Sequence, residues 1–452
     1  MEKSIGYGGL AVLLCGGMLG GLTQTSMNTT LVSVMDELGV AVALSQWLVN
    51  VFPLCLGIVI PLSAFLSRRA SARQLFFAAL GFFIAGSLLL IPVQSFTLLL
   101  LGRILQGIAA GILYPLMQVV VFSQFPLERR GTIMGFVGLT FGFAPNIGPT
   151  IAGAFTTALG WRSVFVFLLA FALVIAIFGF FLIKPTPAEA GQRGLDIPSV
   201  LLSSFGFGGL LMAFTNASDY GLASAAFLVA LSVGAICLAL FCLRQFHTDK
   251  PLMDLCAFKT KEFAAGTIIL CLLFCANIGT ALVIPLELQA VHGFSALEAG
   301  MALLPGTLTA VVVNPASGMI MDRTGARHVT CVCACALVVG SLAMVNLGNI
   351  TSIPAIMFWQ LVRQIGISGV IMPVNTWSLN ALPRVLMPDG NSLTNTLRQV
   401  SAALGTAVMV LLMAGGQAGG AVSAGGVNTA MAFGLGCVFI LAVLCFIYVR
   451  DN

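Results

Sequence analysis

Four ionisable residues stand inside long apolar runs, and each needs a reason to be there. Arg103, Arg363 and Arg398 are nearly alone as charges in their segments, and Glu287 closes a fourth. A charge within hydrocarbon costs about 2.5–3.5 kcal/mol on insertion scales. Arg103 lies about 10 Å into its segment from Phe96, and Arg363 about 15 Å in from Ile353, near the middle. A guanidinium at such a depth can gate a path, attract an anion or tune a proton relay. It can equally bind backbone carbonyls and hold helices together. Arg398 is about 10 Å from a segment end, so its head can reach toward the interface. Glu287 is the best candidate for a titrating carboxylate. Counted from Phe263 it is about 36 Å along its segment, which fits either a proton site reached from one side or an interfacial carboxylate. Asp36 and Glu37 read as a solvated turn.

Uncharged polar residues form a second set. Gln24 and Asn28 are four apart and share a helix face, and Gln46 and Asn50 repeat that spacing. Asn277, Asn314, Gln360, Gln364 and Asn375 lie in apolar runs of the second half. Together with Arg363 they are candidates for lining a cavity that binds a substrate without fixed charge. The competing use is interhelical hydrogen bonding, worth about 0.6 kcal/mol each. Gly131, Gly135, Gly138, Gly142, Pro145, Pro149 and Gly153 recur every three or four residues, one stripe on which another helix could approach closely. The twelve cysteines lie almost all in apolar runs. Residues two apart on a helix diverge by about 200°, so Cys331, Cys333 and Cys335 read as small packing residues and not as a metal site.

The elements that must carry these residues are membrane helices. The 452 residues are 59% hydrophobic and 8% charged, with mean hydropathy +1.06. A soluble domain carries roughly 25% charged residues. In lipid every backbone amide must be satisfied within helices or a closed barrel, and these runs are too long and continuous for barrel strands. Spanning segments fall near 8–34, 43–66, 74–93, 96–123, 132–157, 162–183, 197–217, 222–243, 262–286, 296–320, 329–347, 353–376, 392–415 and 428–449. The first is expected to be a retained helix and not a cleaved signal. With both termini inside and strict alternation, Lys3, Arg68, Arg69, Arg73, Arg129, Arg130, Lys184, Arg193, Arg244, Lys250, Lys259, Lys261, Arg323, Arg327, Arg384 and Arg450 fall on one side, and only Arg162 on the other. Basic residues collect on the cytoplasmic side, which favours an even number of helices. The net charge of +5 then follows from topology, and nucleic acid is not an expected partner. The chain has no Walker-type phosphate loop, haem motif, metal-ligand set or nucleophile motif, so no cofactor, ATP-driven step or enzymatic chemistry is expected.

The halves repeat. Gln106, Gly111 and Pro115 match Gln364, Gly369 and Pro373, and the turn Ser67-Arg68-Arg69-Ala70 matches Asp322-Arg323-Thr324-Gly325. Parallel repeats with a site near the midplane are a transporter architecture. The polar stretches 184–196 and 244–262 bracket one helix pair. The expected organisation is a bundle over 1–184, a linker with two extra helices over 185–261, and a bundle over 262–452.

The run from Gly318 through Asp322, Arg323 and Gly325 to Arg327 resembles the loop signature of the major facilitator superfamily. Arg103-x-x-Gln106-Gly107 resembles its fourth-helix motif. Gly138, Gly142, Pro145, Gly148, Pro149 and Gly153 resemble its antiporter motif. Leu297-Glu298-Ala299-Gly300 with Leu304-Pro305-Gly306, and Asn391 to Gln399, resemble signatures of its fourteen-helix drug/proton antiporters. The resemblance spans nearly the whole chain. It implies an all-α polytopic fold of about fourteen transmembrane helices, two six-helix bundles plus an inserted pair. It also implies proton-coupled efflux of amphiphilic drugs or small organic compounds by alternating access, across a bacterial-type cytoplasmic membrane, by a protein working as a monomer. Arg103, Glu287, Asp322, Arg323, Gly325, Gly142, Pro145 and Pro149 are the coupling or gating candidates.

Two departures bear on mechanism. The family's intramembrane Asp of helix one is replaced by Asn28, which cannot hold a proton charge. The first-half loop signature is eroded at Ser63, Ser67 and Ala70. The alternatives are therefore a facilitator, an antiporter coupled through Glu287, or, in another class, a membrane receptor that moves nothing.

Overall fold

The computed structural model describes residues 6–40, 42–92, 95–184, 196–248, 251–290, 292–294, 296–345, 352–414 and 424–450. Lys3, Arg193 and Lys250, assigned above to the basic side, lie outside the described residues. The described residues are predominantly helical. The elements are α1 (Tyr7–Leu38), α2 (Val42–Arg69), α3 (Ala72–Leu90), α4 (Phe96–Gln124), α5 (Leu127–Gly142), α6 (Ala144–Leu159), α7 (Arg162–Leu182), α8 (Ile197–Tyr220), α9 (Ala225–His247), α10 (Lys261–Ala290), α11 (Ala296–Thr324), α12 (Ala326–Ala343), α13 (Ile353–Asn380), α14 (Met387–Ala414) and α15 (Ala424–Tyr448). Thirteen of the described helices are long and apolar enough to cross a membrane. The remaining two, α5 and α6, share one crossing, which makes fourteen passes.

Helix ends follow from local chemistry. Ser71 caps α3 by accepting from the Gln74 backbone N–H, and the Gln74 side chain returns the bond to Ser71. Gly325 joins α11 to α12 at φ +86°, a conformation that a Cβ would oppose. The expected single helix over 132–157 is instead broken at Phe143. Pro145 and Pro149 cannot donate to the carbonyls four residues earlier. The Pro145 carbonyl, freed by Pro149, accepts from Thr25 Oγ1 at 2.7 Å; at the break the Asn146 N–H turns to the Phe143 carbonyl, and the Gly142 carbonyl accepts from Asn146 Nδ2 at 2.6 Å.

Helices α1–α7 pack on one another, as do α10–α15. Leu13, Phe52, Phe76, Phe83 and Phe165 are among the fully buried side chains of the first group. Helices α8 and α9 pair with each other, and α8 packs on both α2 and α14. Leu211 lies against Gly57, and Ala213 and Ala217 cluster with Ala407. Helix α9 is outermost: Val229, Val233, Ile236, Leu240 and Leu243 are exposed at helical spacing. With that surface, and the apolar exposed ridge of Val174, Ile177, Phe178 and Phe181 on α7, lipid is the solvent.

One face gathers the basic residues. There Arg129 donates to the Tyr7 hydroxyl at 2.8 Å, Arg130 to Asn380 Oδ1 at 2.8 Å, and Trp377 to the Arg450 carbonyl at 3.0 Å. On the opposite face Arg162 pairs with Glu37 at 2.6 Å, and Trp161 donates to the same oxygen at 2.7 Å. The turn expected to be merely solvated thus anchors α7 to α1. At the basic face Arg244 grips Asp196 with two bonds of 2.8 Å. This guanidinium holds the Asp196 carboxyl below its ordinary range. Gln245 ties the same corner together, donating to Ser199 and accepting from the backbone of Leu252 and Met253.

Candidate functional site at the junction of the bundles

The two groups of helices meet along two seams. In the first, α5 lies on α11 at backbone distance. A Cβ on Gly135 would meet the Asn314 carbonyl oxygen at 2.5 Å and Pro315 Cα at 2.9 Å, and Gly318 faces the Gly131 carbonyl just as closely. The clamp is Asp322. Its Oδ1 accepts from the Gly131 N–H at 2.8 Å, and its Oδ2 accepts from the Thr132 N–H at 2.7 Å and the Thr132 hydroxyl at 2.6 Å. A carboxylate accepting from two backbone N–H groups and a hydroxyl forms charge-assisted hydrogen bonds, the stronger kind. Arg130 secures the same end, donating to the carbonyls of Phe122 and Phe125 and to Asn380 across the seam.

In the second seam α14 meets α2 and α4 through side chains. Ser63 and Ser392 hydroxyls lie 3.0 Å apart, and Ser392 also donates to the Ile60 carbonyl at 3.2 Å. Asn391 donates to the Pro115 carbonyl at 3.0 Å, and Asn395 to Gln118 Oε1 at 3.0 Å.

Both seams lie toward the basic face. Beyond Gly142 the chain turns away: α6 packs on α1, α5 and α7, with no comparable contact to α10–α15. The glycine stripe therefore divides. Gly131, Gly135, Gly138 and Gly142 face α11, whereas Gly148 and Gly153 lie on Thr25 and Thr29 of α1. Pro145 packs on Gly21. The proline break sends the second half of the stripe back into its own bundle. Toward the opposite face the bundles separate.

The amides divide likewise. Asn28 and Gln46 are exposed, and Gln24, Asn50 and Asn277 half-buried. Helix α1 packs only within its own bundle at any length, so its accessible polar face borders the separation. Asn314 is 1% exposed and sits in the α5–α11 seam against Gly138 and Gly142. Gln360 and Arg363 are interior to the second bundle. Arg363 borders a small cavity with Ala276, Thr280 and Ser341 and reaches toward the Ala276 carbonyl and Gln360 Oε1, each at 3.5 Å. Arg103 holds the corresponding place in the first bundle. It donates to the Leu48 carbonyl at 2.9 Å, the Thr23 carbonyl at 3.1 Å and Gln106 at 3.1 Å, over the Phe52 ring. Each arginine thus reaches the first helix of its own bundle, α1 or α10, which is how the internal repeat appears in space.

Glu287 is fully buried near the end of α10, with His292 Nδ1 at 2.5 Å from Oε1. Burial departs from the interfacial carboxylate that its depth suggested as one of two readings. The chain folds back after α10, with Phe294 N–H bonded to the Leu288 carbonyl at 2.9 Å, and this return covers the carboxylate. The partner His292 was missed because a single histidine in a short turn carries no pattern.

Comparison with known proteins decides the class. The profile of the Major Facilitator Superfamily matches residues 13–406. The chain belongs to the Major Facilitator Superfamily. The uncharacterized MFS-type transporter YcnB of Bacillus subtilis (strain 168) is 38% identical over 435 residues, covering 96% of this chain and 92% of that protein. The lincomycin resistance protein LmrB of Listeria monocytogenes is 35% identical, covering 98% and 96% respectively. The multidrug export protein EmrB of Haemophilus influenzae is 25% identical over 86% of this chain and 77% of its own length. In three dimensions the human organic anion transporter MFSD10 shares the fold, with TM-score 0.68 over 96% of this chain and 98% of that one, at 16% identity. This member of the superfamily is an integral membrane transporter and not an enzyme, related over most of its length to drug resistance and export proteins.

Proposed function

We propose that the chain exports amphiphilic organic compounds in exchange for protons, by rocking its two bundles about the α5–α11 and α2–α14 seams. The observation that carries this reading is asymmetry: the bundles are latched at the basic face through Asp322 and parted at the other. By the positive-inside rule the basic face is cytoplasmic, so the state described is open to the outside. Gln24, Asn28, Gln46, Asn50 and Asn277 border the opening and offer hydrogen bonds without fixed charge. Among the relatives, EmrB is a multidrug export protein and LmrB a lincomycin resistance protein.

Asn28 cannot carry a proton charge, so the exchange needs another carboxylate. Glu287, with His292 beside it, lies toward the outer end of α10, where a proton could enter from outside. Release of the Asp322 latch parts α5 from α11 and opens the inner side. Gly325 preserves the turn that aims Asp322, and Arg323 stands next to it in the basic loop.

The test is flux in liposomes carrying a pH-sensitive dye, comparing the wild type with Glu287→Gln. Substrate-driven proton movement that disappears in the variant supports the reading. Substrate flux without proton movement in either protein makes the chain a facilitator, the reading favoured by Asn28.

A further inference from the structure

Arg103 and Arg363 turn inward within their own bundles, but Arg398 does not. It lies on α14 and is 2% exposed. Its guanidinium carbon is 4.2 Å from the ring centre of Phe274 on α10 and 4.9 Å from that of Phe141 on α5. Those rings belong to different bundles, so the charge sits across the junction. Its height is fixed by its neighbours. Asn395, one turn toward the basic face, makes the hydrogen bond to Gln118. Phe141 is adjacent to Gly142, where α5 ends. Arg398 therefore stands where the seams stop and the separation begins.

Beyond these two rings, part of the head group is left without hydrogen-bond acceptors. Neither Nε nor Nη1 has a hydrogen-bond acceptor among the described residues, and Nε2 of Gln118 likewise has none. The buried carboxylates among the described residues are Glu287 and Asp389. Asp389 is nine residues earlier on α14, about 13 Å along the helix. Glu287 is thirteen residues beyond Phe274, about 20 Å along α10, and contacts His292. A buried charge without a counter-charge is costly and favours any ligand that supplies one. Asn28 adds no negative charge from α1. The junction thus disfavours a cation and offers strong donors between two aromatic walls.

We propose that Arg398 is a substrate-binding residue that receives an anionic oxygen, a carboxylate or sulfonate, on an aromatic compound whose body lies among Phe141, Phe274 and Tyr114. Tyr114 already packs on Phe141, ring centres 4.8 Å apart. The assignment rests on the reading of the junction as the substrate path and names the substrate class. Because Phe141 and Phe274 lie on opposite bundles, rocking must open or close the aromatic walls around the bound ring.

The experiment is calorimetric binding to the purified full chain, with three probes sharing one ring: 1-naphthalenesulfonate, 1-naphthalenemethanol and 1-naphthylmethylammonium. The sulfonate is expected to bind at least about tenfold tighter than the ammonium, the smallest effect of a charge-assisted hydrogen bond. Arg398→Gln should erase that preference and leave the alcohol within about twofold; Arg398→Lys should keep part of it. Equal binding of sulfonate and ammonium by the wild type overturns the assignment, and so does a sulfonate preference that survives Arg398→Gln. A check without variants uses Cys271, one turn from Phe274 and electrostatically coupled to Arg398. The sulfonate, and not the ammonium, should slow its alkylation by N-ethylmaleimide, read by peptide mass spectrometry; equal protection by both overturns the assignment. Binding is measured without flux, so a charge-selective protein that moves no probe would sink the export reading alone.

Discussion

The α5–α11 and α2–α14 seams occupy corresponding places, each joining the fifth helix of one six-helix bundle to the second helix of the other. The first is made of glycine against backbone and closed by a carboxylate holding three donors. The second is made of serine hydroxyls and amide side chains. The sequence difference behind this is small: where one loop has Asp322, its repeat has Ser67, which bonds within its own helix to the Ser63 carbonyl at 2.7 Å. An ionic latch is shape-demanding and strong, whereas hydroxyl contacts are weaker and easily exchanged. The duplicated protein thus has one stiff hinge and one loose one. The loose seam is also the one that α8 covers, packing on α2 and α14 together.

The largest effect should come from Asp322→Ala. Even one of its three bonds, as a hydrogen bond to a charged group, is worth about 1.5–3 kcal/mol. Substrate flux is expected to fall at least about tenfold, with faster amide hydrogen exchange at Gly131 and Thr132. Unchanged exchange there would mean that glycine packing alone holds the seam. Gly135→Val should come next. Its added atoms meet the Asn314 carbonyl and Pro315 head-on, and overpacking of this kind costs about 1–3 kcal/mol. A lower thermal midpoint together with lost flux is expected; normal flux would show that the seam is not close-packed during transport. Ser392→Ala probes the loose seam and should cost about 1 kcal/mol or less, with flux within about twofold of the wild type. A loss as deep as that of Asp322→Ala would abolish the contrast between the seams.

The smallest effect concerns the strap on the inserted pair. Arg244 depresses the Asp196 carboxyl from its ordinary 3.8, so the stabilisation is present above that value and lost as pH falls through the lower folded value. The unfolding midpoint of the wild type should therefore exceed that of Asp196→Asn by an amount that does not change between pH 5 and 8. The wild type and the variant should converge only below about pH 4. Convergence near neutrality would mean that another group carries the strap.

Much of this was legible in the chain itself. Composition and run length dictated membrane helices, because lipid tolerates no unpaired backbone and few charges. The one-sided distribution of Lys and Arg gave the alternation of helices, and the glycines of α5 announced a close helix approach before any contact was seen. Three things were settled only by tertiary structure. Pro145 and Pro149 broke one pass into α5 and α6, because Thr25 on another helix was in place to take the freed carbonyl. Arg103 and Arg363 became fasteners because carbonyls of α1, α2 and α10 lay within reach, whereas Arg398, of the same residue type, was left facing two rings from opposite bundles. Glu287 was buried by a chain reversal that brought His292 to it. A sequence fixes which side chains are costly to bury; which partner offsets that cost depends on helices that are distant along the chain and adjacent only when it is folded.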